Sequence, residues 1–165
     1  MKLRILAPIA AVLLLGGAAL WFSGVGRPAG PPPYDEAADA RKDVAQALAS
    51  ARAANLPALV IFGANWCEDC RALDKSLKTT RNAELMAKEF VTVKVDVGNF
   101  NRNLDLTTQY GNPTKKGIPA AVLVSPAGEV IYSTRAGELS NARRMGDSGI
   151  FEFFRKVAEN APAKS

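Results

Sequence analysis

The chain contains no histidine and only two cysteines among its 165 residues. Without histidine the commonest general base is missing, and so are the Ser-His-Asp arrangement and every His-containing metal site. Two thiolates cannot close a tetrahedral zinc site without ligands from another chain or from carboxylates. Excess charge is scarce too. The formal net charge of +5 includes Lys2, Arg4 and Arg27, which flank an apolar leader. Removing those three from the 21 basic residues leaves 18 against 16 acidic ones in residues 34–165. So small a surplus is no electrostatic footprint for nucleic acid, and no such partner is expected. No internal repeat is visible, and the only biased stretch is a short Pro/Gly run. Any chemistry here must rest on thiols, carboxylates or lysines.

What is present is an ordinary core composition, 48% hydrophobic, on a length that predicts one domain plus extras. Lys2 and Arg4 precede an uncharged run from Ile5 to Val25. As a helix with a rise of about 1.5 Å per residue, that run spans roughly 31 Å, close to the hydrocarbon thickness of a bilayer. Basic residues before the span outnumber those after it, which favours an N-terminus inside and the rest of the chain outside. A cleavable signal peptide is the rival reading, with Gly16-Gly17-Ala18 as small residues at a cleavage site. Both readings deliver the domain outside the cytosol: anchored in the membrane through residues 5–25 and facing the periplasm, or released there after cleavage. Disulfides persist in such a compartment. Residues 26–33, Gly-Arg-Pro-Ala-Gly-Pro-Pro-Pro, read as a semi-extended spacer or as the stub left by cleavage. The organisation expected is therefore 1–25 leader, 26–33 linker and 34–165 domain.

From Asp35 the pattern is helical, with Ala37, Ala40, Val44, Ala47, Leu48 and Ala51 on one face and Pro57 as the stop. Residues 58–62, Ala-Leu-Val-Ile-Phe, are continuously apolar and predict a central strand covered on both faces. Helices are predicted over 67–78 and about 83–89, then a strand over 91–95. A polar segment follows, with a short helix over 104–110. A strand at 120–124, a Pro/Gly turn at 125–129 and a returning strand at 130–134 make a hairpin. Residues 137–145 read as a turn and short helix whose Arg143 and Arg144 belong to the surface, and a last helix covers 150–159. This order predicts an α/β domain, a mixed sheet between helices.

Phe62-Gly63-Ala64-Asn65-Trp66-Cys67-Glu68-Asp69-Cys70 falls where the buried strand turns into a helix. A helix start offers unpaired N–H groups and the positive end of a dipole, and both stabilise a thiolate. Cys67, at that end, is expected to be the better exposed and to attack. Cys70 is one turn on, near enough to resolve a mixed disulfide. A purely structural disulfide is the bland alternative, yet closing so short a loop contributes only about 2 kcal/mol by the chain-entropy argument. Two buried, inert thiols are a second alternative, disfavoured in an exported domain.

Those residues, together with Gly117-Ile118-Pro119 and the strand and hairpin after them, resemble the thioredoxin superfamily over roughly residues 37–160. The nearest likeness is to exported or membrane-anchored bacterial thioredoxin-like proteins. The resemblance implies a thioredoxin-like fold, a cis-proline at Pro119 facing the cysteines, and substrate contact through the Ile118 backbone and Trp66. Two departures stand out. The family's frequent buried acid, six residues before the first cysteine, is Ile61 here, leaving Lys94 without that partner. The dipeptide between the cysteines is Glu68-Asp69 rather than Gly-Pro, and two carboxylates beside Cys67 disfavour its thiolate. They are expected to tune the pair toward a higher Cys67 pKa and a more reducing potential, the alternative being a solvated dipeptide with little influence.

The function expected is dithiol–disulfide exchange, chiefly reduction of disulfides in exported client proteins, through catalytic Cys67 and Cys70 and without a bound cofactor. Electrons would come from a membrane or exported thiol donor. The rival from another class is a thioredoxin-like binding module or Cu(I) chaperone using the same soft thiolates. Lys115 and Lys116 precede the substrate loop and read either as an attraction for acidic partners or as plain surface. The Asn-rich stretch 97–112 is long enough to shape a substrate groove.

Overall fold

The computed structural model describes residues 30–161. The leader 1–25 and most of the linker lie outside the described residues, and among the described residues no helix is long and apolar enough to cross a membrane.

Helix α1 spans Ala40–Ala54 rather than starting near Asp35. Asp39 sets the later start, since its carboxylate accepts from Lys42 N at 3.1 Å and caps the first turn. Asn55, left-handed at φ 51°, closes the helix before Pro57. The chain ahead of α1 makes turns instead, and Tyr34 leaves the surface altogether with 2% of its area exposed.

Strand β1, Ala58–Gly63, is buried at all six positions, as a continuously apolar central strand must be. Helices α2, Glu68–Leu77, and α3, Thr80–Glu89, lead to β2, Val91–Asp96. Helix α4, Leu104–Gln109, and a 3₁₀ turn at Pro113–Lys116 precede the hairpin of β3, Ala120–Val124, and β4, Val130–Ser133. Helix α5, Ala142–Ala158, takes in both of the segments expected separately, and the break between them survives as a kink at Gly146, whose φ of 65° is not helical.

The sheet runs β2-β1-β3-β4, with β1 and β2 parallel and the other pairs antiparallel. It is the mixed sheet anticipated. Side-chain alternation along β1 splits the core into two layers. Val60 and Phe62 pack with Val44, Ala51 and Val95 on the α1 side. Leu59 and Ile61 pack with Leu73, Ile150 and Phe154 of α2 and α5 on the other. The parallel pair ends with Gly63 opposite Asp96, so both strands deliver their loops to the same edge, where α2 begins.

Candidate active site

Gly63 ends β1, and the turn 64–66 carries the chain into Cys67, the N-cap of α2. Cys67 has extended backbone, φ −73° and ψ 117°, and its sulfur accepts from Cys70 N at 3.1 Å. A disulfide joins Cys67 to Cys70, with Cα atoms 5.2 Å apart. Cys67 keeps 6% of its surface in contact with solvent and Cys70 none. The order of exposure is the one expected, although both sulfurs are mostly covered. Arg71 ties down the approach to Cys67, donating to the Asn65 and Trp66 carbonyls at 2.8 and 2.9 Å. Facing the pair is the Ile118–Pro119 peptide bond, which is cis. Ile118 O lies 3.5 Å from Cys67 Sγ, placed to accept from the thiol once the disulfide is opened.

A groove of about 430 Å³ runs over this edge, lined by Trp66, Cys67, Phe100, Ile118, Ser140 and Arg143 among others. Trp66 is 52% exposed rather than plain core, and it is held upright by a 2.9 Å hydrogen bond from Nε1 to Gly98 O. Phe100 meets its ring edge to face at 6.1 Å. Phe100 is itself 46% exposed and has φ 58°, a conformation that a bulky side chain avoids unless its surroundings impose it. A neighbouring groove of about 620 Å³ continues past Phe100 and Leu104 to Lys115. The stretch 97–112 does line the grooves, through Phe100, Leu104, Thr107, Thr108 and, at its end, Asn112.

Arg143 is more than a surface arginine. Its guanidinium lies 2.9 Å from Glu68 Oε2 and 3.5 Å from Asp69 Oδ2, and its backbone N donates to Asp69 Oδ1 at 2.9 Å. Asp69 is thereby held nearly buried beside Cys67, while Glu68 stays open to solvent. One cation therefore faces the two carboxylates whose charge was expected to act on Cys67 unopposed. Seventy-odd residues separate the partners, so neither periodicity nor spacing could have paired them.

Beneath the cysteines, Ile61 stands beside Lys94 in the β1–β2 register. The partner of Lys94 comes instead from α2, where Asp74, one turn beyond Cys70, binds Lys94 and also Lys78 at 2.7 Å. Burial alone would raise the Asp74 carboxyl, but hydrogen bonds from Lys78 and Lys94, aided by their charges, hold it below the usual carboxylate range. Tyr34 fills the corner between the ends of β1 and β2 and α2, its ring 5.8 Å from Lys94 Nζ. Sequence reasoning passed over Tyr34, because a lone tyrosine at the end of a Pro-rich linker carries no periodic signal.

Residues 39–126 match a family model described as thioredoxin-like. Among solved structures, a disulphide isomerase from Xylella fastidiosa Temecula1 is 55% identical, covering 78% of this chain and 98% of its own, with a TM-score of 0.77. A thioredoxin from Thermus thermophilus is 23% identical over 68% of this chain and 82% of its own, with a TM-score of 0.52. A DsbH oxidoreductase is 18% identical over 70% of this chain and 79% of its own, again with a TM-score of 0.52. These last two share the fold. No curated protein matches the chain. With a mixed sheet, a Cys-x-x-Cys pair at a helix start and these relatives, the chain belongs to the thioredoxin-like family and has the fold of a thiol–disulfide oxidoreductase.

Proposed function

We propose that this protein is an exported thiol–disulfide oxidoreductase, held at the membrane through residues 5–25 or released by cleavage, that chiefly reduces disulfides in exported clients. The observation that carries the reading is the placement of Cys67 Sγ. It caps α2, where N–H groups and the helix dipole favour a thiolate, and it borders an open groove opposite the Ile118 carbonyl. In the reduced protein the Cys67 thiolate attacks one sulfur of a client disulfide, forming a Cys67–client bond and expelling the other client sulfur as a thiolate. Cys70, as thiolate, then attacks Cys67 Sγ, closing the intramolecular disulfide and releasing the second client sulfur. The client is oxidant, the protein reductant, and a thiol donor restores the pair.

Client chains lie along Ile118 and Pro119 with an apolar side chain on the Trp66–Phe100 platform. That platform suits extended, partly unfolded segments, because it offers exposed ring faces rather than a closed cavity. Isomerisation uses the same first step, and the isomerase relative is consistent with this chemistry.

Trapping with Cys70→Ser tests the assignment. Mixed disulfides should accumulate through Cys67, and mass spectrometry of the adducts should return exported proteins. Insulin-disulfide reduction together with Cu(I) titration separates the reading from a copper chaperone: tight metal binding without turnover would overturn it. Fractionation of cells places the full chain in the membrane if the leader is retained, and in the soluble periplasmic pool if it is cut.

A further inference from the structure

We propose that the hydroxyl of Tyr34 is the hydrogen-bond donor that receives the Cys70 sulfur as a thiolate whenever the Cys67–Cys70 disulfide opens. The inference rests on the redox reading above and supplies what that reading leaves open, namely how a charge is tolerated on a sulfur with no solvent contact. A thiolate buried among Phe62, Ala64 and Val95 is heavily penalised unless a donor meets it.

Three observations place Tyr34 there. First, its backbone is stapled to the loop that carries Cys67. Tyr34 N donates to Asn65 Oδ1 at 3.0 Å, and Asn65 Nδ2 donates back to Tyr34 O at 2.9 Å. Second, Tyr34 Oη and Cys70 Sγ converge on one point over Gly63. A Cβ added to Gly63 would collide with the hydroxyl and stand 3.0 Å from the sulfur. The missing side chain is the space the two atoms share. Third, the ammonium beside the ring is committed elsewhere: Lys94, 5.8 Å from the ring, binds Asp74. Burial, then the nearby charges of Asp74 and Asp96, push the phenol pKa upward, so the hydroxyl keeps its proton across the working pH range. A neutral phenol acts as donor.

The step balances without proton transfer. A thiolate of the reducing dithiol attacks Cys67 Sγ and forms a new S–S bond to it. The Cys67–Cys70 bond breaks with its electron pair on Cys70 Sγ, and the Tyr34 O–H turns its hydrogen toward that sulfur. The donor sulfur is oxidised, Cys70 is reduced, and the phenol proton stays on oxygen. In the reverse sense, the same hydrogen bond holds Cys70 ionised for attack on a mixed disulfide.

The test is Tyr34→Phe in the full-length chain, which keeps the ring and removes only the oxygen. In the Cys67→Ser background, thiolate ultraviolet absorbance titrates Cys70 alone. Its midpoint should rise by about one pH unit in Tyr34→Phe, and reduction of the otherwise native disulfide by dithiothreitol should slow about tenfold. Cys67 alkylation in the Cys70→Ser background should keep its pH profile. An unchanged Cys70 midpoint with an unchanged reduction rate overturns the proposal. Wild-type protein labelled at tyrosine Cζ gives a reading independent of the variant's folding: the Tyr34 resonance should move as Cys70 ionises, and a static resonance would also overturn it. Failure of the oxidoreductase reading would show differently, as wild-type protein that turns over no protein disulfide.

Discussion

Arg143 and the Glu68-Asp69 pair form a charge balance within reach of Cys67, and its parts act in opposite directions. Removing the cation with Arg143→Gln leaves both carboxylates uncompensated, disfavours the Cys67 thiolate and makes the pair more reducing. Neutralising the carboxylates with Glu68→Gln and Asp69→Asn leaves the cation and makes the pair more oxidising. Since about 30 mV corresponds to a factor of ten, equilibration against glutathione resolves either shift, and two shifts of the same sign would refute the charge argument. Asp74 gives a second prediction, about stability. Its carboxyl is depressed in the folded protein, so the unfolded chain takes up a proton more readily. The stabilisation is therefore complete above the ordinary carboxylate value of about 4 and drains away as pH falls through the lower folded value. Asp74→Asn should be less stable than wild type at neutral pH, by about 1–2 kcal/mol, and should lose less on acidification. Urea unfolding across a pH series measures both.

Elements were legible in proportion to how local their signals are. The apolar run of β1, the alternation in β2, the Pro/Gly turn of the hairpin and the strand-to-helix position of the cysteines all announce themselves within a few residues, and the structure has each in place. The alanine-rich pattern extends ahead of α1, past its cap, and only the Asp39 side chain marks the true first turn. The 3₁₀ turn at Pro113–Lys116 has no period long enough to read. The groups around the thiols were least visible: Tyr34, Asp74, Phe100 and Arg143 come from four separate segments that meet only in the folded chain. At the end of β1, Gly63→Ala should destabilise the fold by about 1–3 kcal/mol, because the new methyl displaces Tyr34; a thermal melt close to wild type would contradict that close approach. In the loop after β2, Phe100→Ala should raise the KM for protein disulfides several-fold while leaving the redox potential unchanged, since the uncharged ring packs on Trp66 and lines the groove.

At the scale of the whole molecule, the domain does not begin where the helical pattern does. Tyr34 closes the Pro-rich stretch and is already inside the core, packed with Phe62, Val95 and Cys70. A soluble fragment trimmed to start at Asp35 would therefore open a hole below the disulfide the size of an aromatic ring. Such a fragment should unfold with about 3–5 kcal/mol less stability than one that retains Tyr34, as a large buried side chain is lost. Comparing the two fragments by chemical denaturation checks this. The Tyr34–Asn65 staple also decides which cuts in the chain the site survives. A protease that nicks the chain before residue 34 spares the reaction centre, whereas a cut just past it severs Tyr34 from α1 and frees the aromatic plug to slip out.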